Sequence, residues 1–142
     1  MSRLKMMGRA SGLVLTATAL MVGTAGTSSA AAAAVTRTAS CSTTGASGSS
    51  TTVSGSDPYG EVKVTLRVKD TLADGHHVRV RFLSKTSGGV KVTWQWRSNT
   101  DGNGTTKVWE TTAQTTYGIY EKGVEVARFE GSTLLNSCTD WG

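Results

Sequence analysis

Val90-Lys91-Val92-Thr93-Trp94-Gln95-Trp96-Arg97 separates into two rows: Val90, Val92, Trp94 and Trp96 alternate with Lys91, Thr93, Gln95 and Arg97. A period of two marks a strand with one buried and one wet face. Two tryptophans are the largest apolar load on any single element of this chain, so the row they share is expected to face a core. Neighbouring segments repeat the pattern. In residues 61–70, Val62, Val64, Leu66 and Val68 alternate with Lys63, Thr65, Arg67 and Lys69. In residues 77–85, Val78, Val80 and Phe82 alternate with Arg79, Arg81 and Leu83. Asp74-Gly75, Ser87-Gly88-Gly89 and Asp101-Gly102-Asn103-Gly104 carry the residues of tight reversals. Three strands in series with short turns predict an antiparallel meander.

The flanking segments are less regular. Thr51-Thr52-Val53 predicts a short edge strand near residues 49–54, followed by a turn at Ser56-Asp57-Pro58-Tyr59-Gly60. In residues 106–113 Trp109 is expected inward, because the opposite choice buries Glu110 without a partner. Residues 117–120 and 124–129 read as a hairpin around Glu121-Lys122-Gly123, with Gly123 suited to positive φ and a bulge near Ala127-Arg128 returning Phe129 to the core. No segment after the leader has a helical period. The prediction is an all-β domain, an antiparallel β-sandwich of about six to seven strands, with a flattened β-barrel as the alternative.

Residues 1–34 read as a secretory signal peptide. Arg3, Lys5 and Arg9 make a basic leader, residues 10–26 are uncharged and mostly apolar or small, and the alanines of 30–34 offer several cleavage points. Export without a remaining membrane anchor is therefore expected, which makes the protein secreted and extracellular. Residues 35–56 form a Ser/Thr/Gly-rich segment tied down by Cys41, and residues 57–142 the sandwich domain. The formal charge of the whole chain is +5, from 15 Lys and Arg against 10 Asp and Glu. Three of those cations leave with the leader, so the mature chain carries 12 against 10, a net +2. That small excess disfavours nucleic acid as a partner unless the charge is locally arranged.

Cys41 and Cys138 are the only cysteines. In an exported chain an even count implies a disulfide, and two cysteines allow one pairing. Isolated cysteines lack the paired spacing of a zinc site.

No catalytic constellation stands out. His76 and His77, the only imidazoles, would point to opposite faces of a strand and more naturally finish a turn. No nucleophile-elbow motif is present, and Glu110, Glu121, Glu125 and Glu130 have no spacing that selects a catalytic pair. A non-enzyme without metal or cofactor is expected. Two features suit binding. With faces assigned as one meander, Lys63, Arg67, Lys69, Arg79, Arg81, Lys91 and Arg97 project from one sheet face with no acid among them. Such a face suits an anionic polysaccharide or cell-wall polymer, although cross-strand pairing with Glu110 and Glu125 would neutralise part of it. Tyr120 and Trp141 are candidate aromatic contacts for a glycan, whereas Trp94 and Trp96 are expected in the core.

The Ala-rich leader, Asp74-Gly75-His76-His77, Trp94-x-Trp96, Gly102-Asn103-Gly104-Thr105-Thr106-Lys107-Val108-Trp109 and a late lone cysteine before an acidic, aromatic end recur together here. In these features the chain resembles small secreted proteins of actinomycete bacteria that carry no assigned activity. The resemblance spans nearly all of the mature chain and implies no activity. The expected function is thus a secreted, non-catalytic binding module for an anionic polymer or glycan. The alternatives are an inhibitor or toxin-like protein presenting residues 99–105 or 84–90, and a structural envelope protein.

Overall fold

Nine strands follow one another: β1 (Val35–Thr43), β2 (Ala46–Ser54), β3 (Val62–Asp70), β4 (His77–Lys85), β5 (Lys91–Thr93), β6 (Arg97–Asn99), β7 (Thr106–Ala113), β8 (Glu121–Glu130) and β9 (Thr133–Trp141). The computed structural model describes Gly26 and residues 29–142. The basic leader and most of the apolar run, on which the signal-peptide reading rests, lie outside the described residues. Among the described residues there is no helix, and none long and apolar enough to cross a membrane.

The strands form two antiparallel sheets. Sheet A has the order β1-β2-β3-β7; sheet B has β5-β4-β8-β9, with β6 also on β4 beyond β5. The β-sandwich is thus the architecture, and the sheets do not join into a barrel. Val62, Val64, Leu66 and Val68 of sheet A meet Val78, Val80, Phe82, Val124 and Val126 of sheet B, all at most 2% exposed. Alternation in β3 and β4 places these side chains in the shared core.

The predicted meander is corrected. Residues 71–76 do not fold β4 back beside β3 but carry the chain from sheet A to sheet B. Reversal residues fix that the chain turns, not which sheet receives it. Here Asp74 accepts hydrogen bonds from the His76 backbone N–H (3.0 Å) and from Arg128 Nη1 on β8 (2.6 Å), which ties the connection to sheet B.

Residues 35–56 hold two full strands rather than a segment tied down at Cys41 with one short edge strand near 49–54. β2 is interior, paired with both β1 and β3. Its inward row is small or hydroxylic (Ala46, Gly48, Ser50, Thr52), so it carries no apolar alternation to read. Gly48 has a packing reason: a Cβ there would lie 2.5 Å from the Arg67 carbonyl oxygen and 2.9 Å from Val126 Cγ2.

The expected hairpin at 117–129 is also corrected. Residues 114–120 are a loop, and Glu121, Lys122 and Gly123 lie within β8, which pairs without interruption from Lys85↔Glu121 to His77↔Phe129. Gly123 is not among the glycines at positive φ. A Cβ there would meet the Asp140 carbonyl oxygen at 2.6 Å and the Trp141 ring at 2.7 Å, so glycine allows β9 and its indole to lie against β8. The bulge falls in the β8–β9 pairing, where Arg128↔Asn136 is followed by Phe129↔Leu134 and Leu135 is the extra residue. Phe129 therefore stays on the outer face of sheet B, 6% exposed.

One side of the sandwich is sealed. The Cys41–Cys138 disulfide joins β1 to β9, with Cα atoms 6.0 Å apart. Beside it the Ser40 N–H donates to Asp140 Oδ2 (2.9 Å), and Asn136 Nδ2 donates to Thr43 Oγ1 (2.7 Å) and to the Thr44 carbonyl (2.9 Å).

Candidate functional site

The seven cations expected on one face are divided, because β3 and β4 belong to different sheets. Lys63, Arg67 and Lys69 project from the outer face of sheet A. Arg79, Arg81 and Lys91 project from the outer face of sheet B, on the opposite side of the sandwich. Arg97 belongs to neither: it pairs in register with buried Val80 and so lies on the inner row.

On sheet B, most of these cations are already engaged. Arg81 is bound to Glu125 at 2.7 and 2.8 Å and lies 4.3 Å over the Trp96 ring. Arg79 donates to His77 Nε2 (3.0 Å) and to the Gly131 carbonyl (3.2 Å), and lies 4.2 Å over Phe129. Lys85 pairs with Glu121 at 2.6 Å and covers Trp141 at 4.2 Å. His77 stacks on Phe129, and Trp96 meets the same ring edge-on. Beneath this layer Leu83 and Ala127 are fully buried although they face outward. The outer face of sheet B is therefore a second packed layer, held by cation–π and ion-pair contacts. Lys91 alone of its predicted cations is exposed without an ion pair among the described residues.

The same layer corrects the placement of Trp96, whereas Trp94 packs on the core as expected. The strand breaks at residues 94–96 between β5 and β6, so the two rings separate. Trp94 turns inward onto Phe82, with ring centroids 5.7 Å apart, and its indole N–H donates to Ser84 Oγ at 3.0 Å. Trp96 lies outward under Arg81. Strict alternation cannot register a break that adds a residue to one side. Trp109 faces inward as expected, in register with Leu66, and packs against the core.

Sheet A presents a different surface. Its outer rows are Thr36, Thr38, Ser40 and Ser42 on β1, and Ser47, Ser49, Thr51 and Val53 on β2. Lys63, Thr65, Arg67 and Lys69 follow on β3, then Thr106, Val108, Glu110 and Thr112 on β7. Lys63, Arg67 and Lys69 are exposed and form no ion pair among the described residues, and Glu110 forms none either. Around Arg67 and Lys69 the sheet forms a shallow depression of about 510 Å³ floored by Ser40, Ser42, Ser47 and Ser49. Register places Ser49 opposite Arg67 and Ser47 opposite Lys69, with Ser40 and Ser42 one strand further out. Each cation is thus flanked by two hydroxyls across the strands. The sequence reading missed this carpet because serine and threonine in a low-complexity stretch look like linker; the alternation of its hydroxyls with Ala39, Cys41, Ala46 and Gly48 was the available signal.

Tyr120 is exposed and sits at the end of the sandwich, where its hydroxyl donates to that of Tyr59 at 3.2 Å across an edge-on pair. Tyr117, 71% exposed, lies on the same 114–120 loop. Trp141, the other predicted aromatic contact, is half-buried and covered by Lys85.

His76 and His77 lie at the opposite end, and no group of three or more His, Cys, Asp or Glu side chains suited to a metal occurs among the described residues. Burial and the neighbouring Arg79 hold the His77 imidazole below its usual pKa, as fits a ring whose Nε2 accepts a hydrogen bond. The loop at 99–105 is held by its own contacts: buried Asn99 donates to the Thr105 carbonyl (3.0 Å) and accepts from the Asp101 N–H (3.1 Å).

Compared with protein-family models, curated proteins and solved structures, the chain matches none.

Proposed function

We propose that this is an exported, non-catalytic binding domain that takes an anionic polymer across the outer face of sheet A. The observation that carries this reading is the contrast between the two faces. Of the outward-facing cations of sheet B, Arg79, Arg81 and Lys85 are held by carboxylates or aromatic rings and only Lys91 is not, whereas Lys63, Arg67 and Lys69 on sheet A all stand unpaired, the last two beside serine hydroxyls. Arg67 and Lys69 lie two residues apart on one strand, about 7 Å, and Lys63 about 20 Å from Lys69. Spaced charges on an open face suit a repeating anion lying along the strand better than a compact one. Serine hydroxyls beside them donate to phosphate or carboxylate oxygens. Cell-wall polymer or acidic polysaccharide is the partner class, with nucleic acid disfavoured by the small net charge of the mature chain.

The test is a binding screen over teichoic acid, heparin and DNA. Affinity should fall steeply as salt rises, because neutralising a polyanion releases counterions. Arg67→Glu with Lys69→Glu should remove most of the affinity and leave the fold intact, since both side chains are exposed and unpaired. Lys91→Glu, on sheet B, should change little. Equal loss from Lys91→Glu would move the site to the other sheet. No binding to any of the three at about 0.1 M salt, where charges beyond roughly 10 Å are screened, would refute the reading.

A further inference from the structure

The side of the sandwich opposite the disulfide is open. There β7 faces the break between β5 and β6, and a cleft of about 180 Å³ enters past Gln95 and Thr112. Its apolar walls include Leu66, Phe82 and Trp94; its polar ones are Arg97 and Thr111. The break shapes the cleft. The Trp94 N–H donates to the Phe82 carbonyl at 3.2 Å and its indole to Ser84, which fixes the ring as a wall.

Arg97 is the unusual group. It occupies the inner row, half-buried, yet its guanidinium has no ion pair, hydrogen bond or aromatic stack among the described residues. The Thr111 hydroxyl beside the cleft likewise makes no hydrogen bond within the described chain. The guanidinium of this half-buried arginine is therefore free to take an acceptor, and its planar fork matches a carboxylate. Size sets the rest of the ligand: a cavity of about 150 Å³ accepts benzene. The space here holds one six-membered ring with a small substituent.

We propose that this cleft binds a small aromatic carboxylate, the ring lying against Trp94 over the floor of Leu66 and Phe82 and the carboxylate on Arg97 and Thr111. The site is separate from the outer face of sheet A, so either proposal stands or fails alone.

The experiment uses the oxidised protein labelled with nitrogen-15, with the Trp94 indole resonance assigned by its loss in Trp94→Phe. Benzoate and phenylacetate are titrated against benzyl alcohol, which keeps the ring and lacks the charge. The Trp94 resonance should shift saturably with the two carboxylates, and benzyl alcohol should bind about tenfold or more weakly, the difference expected for a lost charge-assisted hydrogen bond. Arg97→Gln should abolish that preference while the resonances of sheet A stay in place. No saturable shift at Trp94, equal affinity for benzoate and benzyl alcohol, or an unchanged preference in Arg97→Gln would each overturn the proposal. The comparison of ligands in the unaltered protein decides the matter even if Arg97→Gln does not fold.

Discussion

Replacing Arg81 by glutamine tests whether the cations of sheet B are structural. The Arg81 side chain is 21% exposed and that of Glu125 is 10% exposed, and they meet at 2.7 Å. Removing the arginine leaves a carboxylate under the outer layer without its counter-charge. Breaking a buried pair in this way costs about 3 to 5 kcal/mol, and partial exposure of Arg81 places this case near the lower end. Loss of the contact over Trp96, 4.3 Å from the guanidinium carbon, adds about 0.5 to 1 kcal/mol. A total of about 3.5 to 4 kcal/mol should lower Tm by roughly 15 °C for a unit the size of Ala31–Gly142. Calorimetry of Arg81→Gln, Glu125→Gln and the double variant forms the cycle. The double variant should recover part of the loss, because neither buried charge is then left alone. Arg67→Gln, exposed and unpaired on sheet A, should stay within about 0.5 kcal/mol of the parent. An Arg81→Gln loss below about 1 kcal/mol, or no recovery in the double variant, would refute the view that pairing occupies these cations.

Joint replacement of Cys41 and Cys138 by alanine should cost about 3 to 5 kcal/mol in urea unfolding, since the bridge closes a span of 97 residues and acts mainly on the unfolded chain; a loss under about 1 kcal/mol would contradict that account. Trp94→Ala should cost roughly 3 kcal/mol through lost packing on Phe82, and iodide should quench Trp94 poorly in the folded protein; full access to the quencher would place the ring outside. His77, with its pKa held below the ordinary 6.5 in the fold, binds fewer protons folded than unfolded. Its contribution is present above about pH 6.5 and is lost as pH falls through the folded pKa. Chemical denaturation between pH 7.5 and 5 should therefore show a slope that His77→Gln flattens, and an unchanged slope in that variant would assign the dependence elsewhere.

Two-residue alternation in β3 and β4, with the valines inward and the cations outward, was legible in the sequence because it follows from backbone geometry and burial within a single strand. So was the pairing of Cys41 with Cys138, since two cysteines leave one choice. Trp109 was legible for the same reason as β3: only one of its two rows can be buried without stranding Glu110. β1 and β2 were not legible as full strands, because small and hydroxylic side chains filled both of their rows and the alternation had no hydrophobic contrast. Phe129 was misplaced because an extra residue in β9 leaves no mark on β8. The larger difference concerns faces. An outward row is a property of one strand, but whether two outward rows share a face depends on which sheet each strand joins. That is set by long-range contacts such as Asp74 with Arg128 on β8, and a turn sequence does not encode it. Tertiary structure alone therefore divided Lys63, Arg67 and Lys69 from Arg79 and Arg81, paired the latter two with their own sheet, and turned Arg97 inward. Local stereochemistry decided which residues reach water; only the packing of one sheet on the other decided which of them remain free to meet a partner.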